Sequence, residues 1–251
     1  MSAVETALLV LGVILISTAA GVLLRRKLPE KHLSGDSKDV IKLATALVAT
    51  MAALVTALLF ASTRASYEAT HSQVGQLTAN VIELDRLLKD YGAEGVALRQ
   101  ALRQDVAAIV NTIWRDDDDD AVALSPAQAS ASEAQVITRL RLLAPHDPVQ
   151  TSLQARASVV SNSLAQIQLT LYAHPSDSLA KPFITVLVLW LCFIFGSFAM
   201  SADANGTMLS VLFFCALSAA SAIYLILELG QPFDGLMQVP SGPLRHALAP
   251  L

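Results

Sequence analysis

Four apolar runs stand out in the pattern of hydrophobic and polar positions, and each is long enough to cross a bilayer as a helix. The runs are Glu5–Leu24, Ile41–Ala61, Pro182–Met200 and Met208–Leu227. A helix rises about 1.5 Å per residue, so about 20 apolar residues span roughly 30 Å of hydrocarbon. The pattern predicts an all-α membrane protein with four transmembrane helices in two hairpins.

The same pattern divides the chain into four parts. We expect a first transmembrane hairpin in residues 1–61, a helical polar insert in 62–181, a second hairpin in 182–227 and a turn-rich tail in 228–251. In the tail, Gly230 to Gly235 and Pro240 to Pro243 have strong turn chemistry. The apolar residues of the tail either lie at the membrane interface or seal the base of a helix bundle.

The insert has the periodicity of several amphipathic helices. One seam continues directly from the second apolar run, and a second follows Gly92, which offers a helix cap. The seams are Val74, Leu77, Val81, Leu84, Leu88 and Tyr91, then Leu98, Leu102, Val106, Ile109 and Ile113. Residues 115–132 carry five aspartates and predict a disordered acidic loop. Helical spacing resumes after it, which gives three or four helices and no strand.

Composition and charge support a membrane location and predict its topology. Hydrophobic residues make up 54% of the chain and charged residues 15%. Five of the seventeen basic residues lie between the first two apolar runs, and a sixth, Lys42, is at the start of the second run, so the positive-inside rule places loop 25–40 in the cytoplasm. Insert 62–181 and both termini are then predicted on the opposite, periplasmic face.

The chain lacks the residue patterns of an enzyme or a metal protein. It has no phosphate-binding glycine loop and no nucleophile elbow, and its histidines are scattered. The run Asp116–Asp120 lacks the glycine and distal glutamate of a calcium loop, so we interpret it as a solvated linker. We expect no enzyme activity, no metal or cofactor, and no nucleic-acid partner.

The second membrane helix carries two stripes of small or hydroxyl-bearing residues. One stripe, interpreted as a candidate pore lining, consists of Lys42, Thr45, Ala49, Ala52 and Thr56. The other, interpreted as a helix-packing ladder, continues from Ala49 through Ala53, Ala57 and Ala61. Hydroxyls can contact ions or water in a pore, but membrane threonines also bond back to their own backbone without any pore.

Several segments resemble the bestrophin-like family of bacterial membrane proteins, a family of unknown function. They are Leu28-Pro-Glu-Lys-His-Leu33, Ser34-Gly-Asp-Ser-Lys-Asp-Val-Ile-Lys-Leu43, Ala52-Ala-Leu-Val55 and Glu228-Leu-Gly-Gln-Pro-Phe-Asp-Gly235. The resemblance implies a multi-pass protein of the bacterial inner membrane, whose partners are the lipid bilayer and further copies of itself. By analogy with bestrophins, which are pentameric anion channels lined by their second helix, it implies a homo-oligomeric channel with a permeant ion.

The analogy conflicts with this sequence at two points. Bestrophins hold the large segment between helices two and three in the cytoplasm, whereas the basic loop here predicts the insert outside. Bestrophin pores also have an aromatic-rich constriction, whereas the second apolar run here contains a single aromatic residue, Phe60. A non-conducting scaffold or sensor, whose insert binds a protein partner, is therefore the alternative hypothesis.

Overall fold

A computed structural model describes residues 2–27, 36–114, 137–173, 180–201 and 205–247. Every regular element in these ranges is a helix, and they contain no strand. The helices are α1 (Ala3–Lys27), α2 (Asp36–Tyr91), α3 (Gly95–Ile113), α4 (Pro148–Ala173), α5 (Ala180–Ser201), α6 (Gly206–Leu229) and α7 (Gly242–Ala247), and residues 137–141 are also helical. The all-α prediction is confirmed.

Helices α1, α2, α5 and α6 are each long and apolar enough to span a membrane. They coincide with the four predicted apolar runs, so the chain is a membrane protein. Helix α2 is a single helix of 56 residues, more than twice the roughly 20 residues that the hydrocarbon requires. The predicted continuation of this helix beyond the membrane run is confirmed.

Local sequence explains where two of the helices begin or end. Gly92 follows α2 with φ of 105°, a left-handed conformation that glycine adopts without steric cost. At the start of α4, the Asp147 carboxylate accepts a 2.6 Å hydrogen bond from the backbone N–H of Gln150. The Gln150 side-chain oxygen in turn accepts a 2.8 Å hydrogen bond from the backbone N–H of His146. Pro148 occupies the first helical position.

Two compact units make up the structure, and the first contains the membrane helices. It comprises Met1–Tyr67 and Ser176–Gln231. All four membrane helices contribute to its core, which consists of Val10, Ile14, Ala52, Ile184, Leu187, Ile194, Phe195, Ala216 and Ile223. Helix α1 packs closely along both α5 and α6. The prediction that the four helices form two hairpins stays a prediction.

Helices α1 and α5 approach each other closely in this unit. A Cβ atom added at Gly21 would collide with the carbonyl oxygen of Gly196, and it would lie 3.0 Å from the Cβ of Ala199. One turn earlier, the Ser17 hydroxyl donates a 2.7 Å hydrogen bond to the carbonyl of Cys192. Small side chains therefore allow the two backbones to meet directly.

The second unit comprises Glu68–Pro175 and Pro232–Leu251 and has a core of its own. Both predicted seams of the insert contribute to it: every member is buried except Ile113, which is half-buried. Leu140, Val160, Leu164 and Leu171 join them. The amphipathic faces of the insert are thus covered by the chain's own helices.

Polar contacts fix the helices of this unit to one another. The Arg99 guanidinium of α3 donates two hydrogen bonds, at 2.9 and 2.7 Å, to the Asp85 carboxylate of α2. Both side chains are largely buried, and this bidentate bonding raises the pKa of Arg99 above its ordinary value. Helix α4 is held to α2 by Arg156, which forms an ion pair with Glu83 at 2.6 Å.

The tail packs within the second unit. The Trp114 indole N–H donates a 2.7 Å hydrogen bond to the Val239 carbonyl, and its ring meets Phe233 edge-on at 5.4 Å. Val239 and Leu244 are buried, whereas Leu236 is 84% exposed. The predicted acidic loop 115–132 and residues 28–35 of the basic loop lie outside the described residues.

Candidate functional site

The predicted pore stripe of α2 is placed partly inside the membrane unit. Thr45 and Ala52 are buried, with 2% and 4% exposure, and Ala52 belongs to the core. Ala49 and Thr56 are half-buried beside them. Lys42 is exposed at the N-terminal end of the stripe. Within one chain, therefore, the middle of the stripe lies toward the other membrane helices, whereas Lys42 is exposed.

The predicted packing ladder has the opposite surroundings within one chain. Ala53, Ala57 and Ala61 are all exposed. Further round the helix, the leucines at 43, 47, 54 and 58 are at least 61% exposed. The described chain therefore presents two outward surfaces of α2, one of small side chains and one of leucines.

A groove of about 680 Å³ runs beside α2 in the membrane unit. It brings together residues from both predicted stripes of α2, with walls supplied by α5 and α6. The lining is Ala49, Ala52, Ala53, Thr56, Ala57 and Phe60 from α2, Leu191, Ile194 and Phe195 from α5, and Cys215, Ser218, Ala219, Ala222, Leu225 and Ile226 from α6. Lys42, Thr45 and Ala61 are not part of this lining.

The threonine hydroxyls of α2 bond to their own helix. Thr45 donates to the Ile41 carbonyl at 2.8 Å, and Thr56 donates to the Ala52 carbonyl at 2.7 Å. A hydroxyl has one proton and two lone pairs, so the oxygen of Thr56 remains available as an acceptor in the groove. In this rotamer the group suits a cation or a water molecule better than an anion.

The positive charge at the end of the stripe is partly offset. The Lys42 ammonium lies 3.7 Å from the Asp39 carboxylate, and both side chains are well exposed. An exposed pair of this kind contributes little to stability. Lys42 therefore retains solvent contact and a partial positive field at this end of α2.

Comparison with known proteins assigns the chain to a family. The model of the bestrophin-like domain matches residues 12–244, which cover most of both units. The chain belongs to the bestrophin-like family. No curated protein and no solved structure matches it.

The sequence interpretation missed the part of the groove that α6 supplies to this bestrophin-like chain. The small residues of that helix separate into two faces. Ala216 and Ala220 are buried in the unit, whereas Cys215, Ala219 and Ala222 line the groove. The spacing of three and four residues between the members of each face was the sequence signal that could have separated the two faces.

A buried carboxylate is a second feature that the sequence did not indicate. Glu228 has 2% exposure near the end of α6, and the Tyr224 phenol donates a hydrogen bond to it. The two residues are four positions apart, so they lie one turn apart on the same face of α6. Among the described residues, no group of three or more His, Cys, Asp or Glu side chains is positioned to hold a metal ion.

Proposed function

We propose that this bestrophin-like protein is the subunit of a homo-oligomeric ion channel of the bacterial inner membrane, with α2 beside the permeation path. The groove along α2 carries the proposal. It is open, it lies among the membrane helices of the chain, and its α2 wall consists of small side chains apart from Phe60. Because fold-level likeness alone does not transfer function, family membership is supporting rather than decisive.

The pore lining is proposed at the groove side of α2. Ala49, Ala52 and Thr56 belong to both the predicted stripe and the groove, so they are the first candidates. Ala53 and Ala57 lie beside them and are the more exposed in one chain. Thr45 remains a candidate only if the α2 helix turns relative to the core in the open state, because it is buried here.

Anion preference is the finer part of the proposal, and it depends on Lys42. The threonine protons are engaged within the helix, so the ammonium is the strongest anion-attracting group proposed for this path. The neighbouring Asp39 reduces that attraction. Replacement of Lys42 by glutamine should therefore lower the chloride-to-potassium permeability ratio, whereas Asp39→Asn should raise it.

Flux through liposomes tests the channel itself. Purified protein is reconstituted, and release of chloride or potassium is followed with ion-selective electrodes. We expect Ala53→Trp or Ala57→Trp to reduce the flux, because an indole fills the groove. Leu54→Trp is the matched control, since Leu54 is 62% exposed on the leucine face of α2. Equal flux in all three variants would contradict a path beside the groove.

Cysteine accessibility separates a channel from a non-conducting scaffold or sensor. Single cysteines at Ala49, Ala53, Thr56 and Leu54 are tested with a charged maleimide in a background without Cys192 and Cys215. A water-filled path predicts labelling at the first three positions and protection at Leu54. Protection at all four, together with no flux above empty liposomes, would refute the channel and leave the scaffold hypothesis.

A further inference from the structure

A second cavity lies outside the membrane helices, in the unit that contains the insert and the tail. It has a volume of about 330 Å³ and lies between α3 and α7. The lining consists of Arg103, Val106, Ala107, Val110, Asn111, Leu244 and Arg245. A volume of this size is at the lower end of the range for small-molecule sites.

Two arginines from different helices, Arg103 of α3 and Arg245 of α7, line this cavity. The Nε atom of Arg103 is buried and has no hydrogen-bond partner among the described residues. The Nε atom of Arg245 donates to the Ser241 hydroxyl at 3.2 Å, which helps to hold that side chain in place. No Asp or Glu appears in the described lining, so Arg103 and Arg245 are the charged residues of that lining.

An unpaired buried donor on a charged side chain is costly, and an anion would remove that cost. Guanidinium groups match oxyanions in a planar, bidentate geometry, and the Asn111 amide adds further donors. The remaining wall is apolar, with Val106, Val110 and Leu244 all buried. The cavity thus combines a polar end suited to an oxyanion with a surface suited to a short hydrocarbon chain.

We propose that the α3–α7 cavity binds a small organic oxyanion, with its carboxylate or phosphate head between Arg103 and Arg245 and its apolar part against Leu244. The site belongs to the insert and the tail, so it is independent of the proposed pore. It gives the chain a ligand-binding site separate from the groove, whether or not the groove conducts.

Calorimetric titration of the full chain in phosphatidylcholine nanodiscs tests the proposal, with hexyl phosphate and hexanoate as probes. We expect saturable binding of at least one of them and none of hexanol, which lacks the charge. Arg103→Gln or Arg245→Gln should weaken binding about tenfold or more, because each removes a charge-assisted hydrogen bond. Arg86→Gln is the matched control, an exposed arginine of the same unit, and should leave the affinity unchanged.

The apo thermal melting temperature distinguishes a ligand site from a purely structural arginine. Because Arg103 Nε has no hydrogen-bond partner in the described part of the chain, Arg103→Gln should melt no lower than the wild type. A lower melting temperature with unchanged affinity would overturn the proposal. Binding that emerges only after the aspartates at 116–120 are replaced by asparagine would also overturn it, because the chain's own carboxylates would then be the anion.

Nanodiscs that contain phosphatidic acid identify the source of the oxyanion. If a lipid headgroup reaches the cavity, these nanodiscs compete with hexyl phosphate and the competition disappears in Arg103→Gln. If the ligand is a soluble anion, the affinity for hexyl phosphate is the same in both nanodiscs. Either result supports the oxyanion site, whereas equal affinities in Arg103→Gln and wild type refute it.

Discussion

The contact between α1 and α5 allows a sharp test of how the membrane unit is packed. In Gly21→Ala, the new methyl group meets the carbonyl oxygen of Gly196 and lies 3.0 Å from the Cβ of Ala199. The carbonyl belongs to the backbone of α5, so it cannot turn aside as a flexible side chain would. Helix α1 must therefore move away from α5, which loosens the contact that Ser17 helps to hold.

The expected cost follows from the magnitude of overpacking. Forcing an extra carbon into a packed core costs about 1–3 kcal/mol. Alanine is also a better helix former than glycine by about 0.8–1.0 kcal/mol, which acts in the opposite direction. Gly12→Ala isolates that second effect, because a Cβ atom at Gly12 meets no described atom within 4 Å. The Gly21 variant should thus be less stable than the Gly12 variant by about 1–3 kcal/mol.

Thermal unfolding in detergent, followed with a maleimide dye, measures the difference. In a Cys215→Ala background the remaining thiol is Cys192, whose carbonyl accepts the Ser17 hydrogen bond in the α1–α5 contact. The stability difference corresponds to roughly 2–12 °C in melting temperature for a chain of this size. Equal melting temperatures for Gly12→Ala and Gly21→Ala would refute the close approach of α1 and α5.

Three further predictions concern the second unit. Arg99→Leu leaves the Asp85 carboxylate largely buried without its ion-pair partner, so the free energy of unfolding measured in urea should fall by about 3–5 kcal/mol. The double variant Arg99→Leu, Asp85→Leu should recover part of that loss. Tyr91→Phe removes a buried hydroxyl with no hydrogen-bond partner among the described residues, so the variant should be at least as stable as the wild type. Burial raises the pKa of Tyr91, and nearby carboxylates add to the effect. The wild type should therefore lose stability as the pH rises above about 10, the pKa of an unfolded tyrosine, and through the higher pKa of the folded state. Tyr91→Phe should show no such loss. Trp114→Phe leaves the Val239 carbonyl without its indole partner; hydrogen exchange in residues 232–247 should accelerate, and unchanged exchange would contradict docking of the tail.

The sequence by itself determined the helical elements and, in the insert, the buried face of each helix. The seam from Val74 to Tyr91 and the one that follows Gly92 lie in the core as the spacing predicts. Outside the membrane, an exposed face meets water, so its residues are polar and the periodicity marks the buried side. Proline, glycine and aspartate fixed the ends of α2 and α4 through local backbone chemistry.

Only the tertiary structure decided which side of each membrane helix meets its neighbours. The stripe through Thr45 and Ala52 is buried in one chain, whereas the ladder through Ala53 and Ala57 is exposed. Lipid tails are as apolar as a protein core, so the pattern along a membrane helix does not mark its packing face. Arg103 and Arg245 likewise line one cavity only because the tail folds onto α3. They are 142 positions apart in the sequence, so no local pattern could relate them.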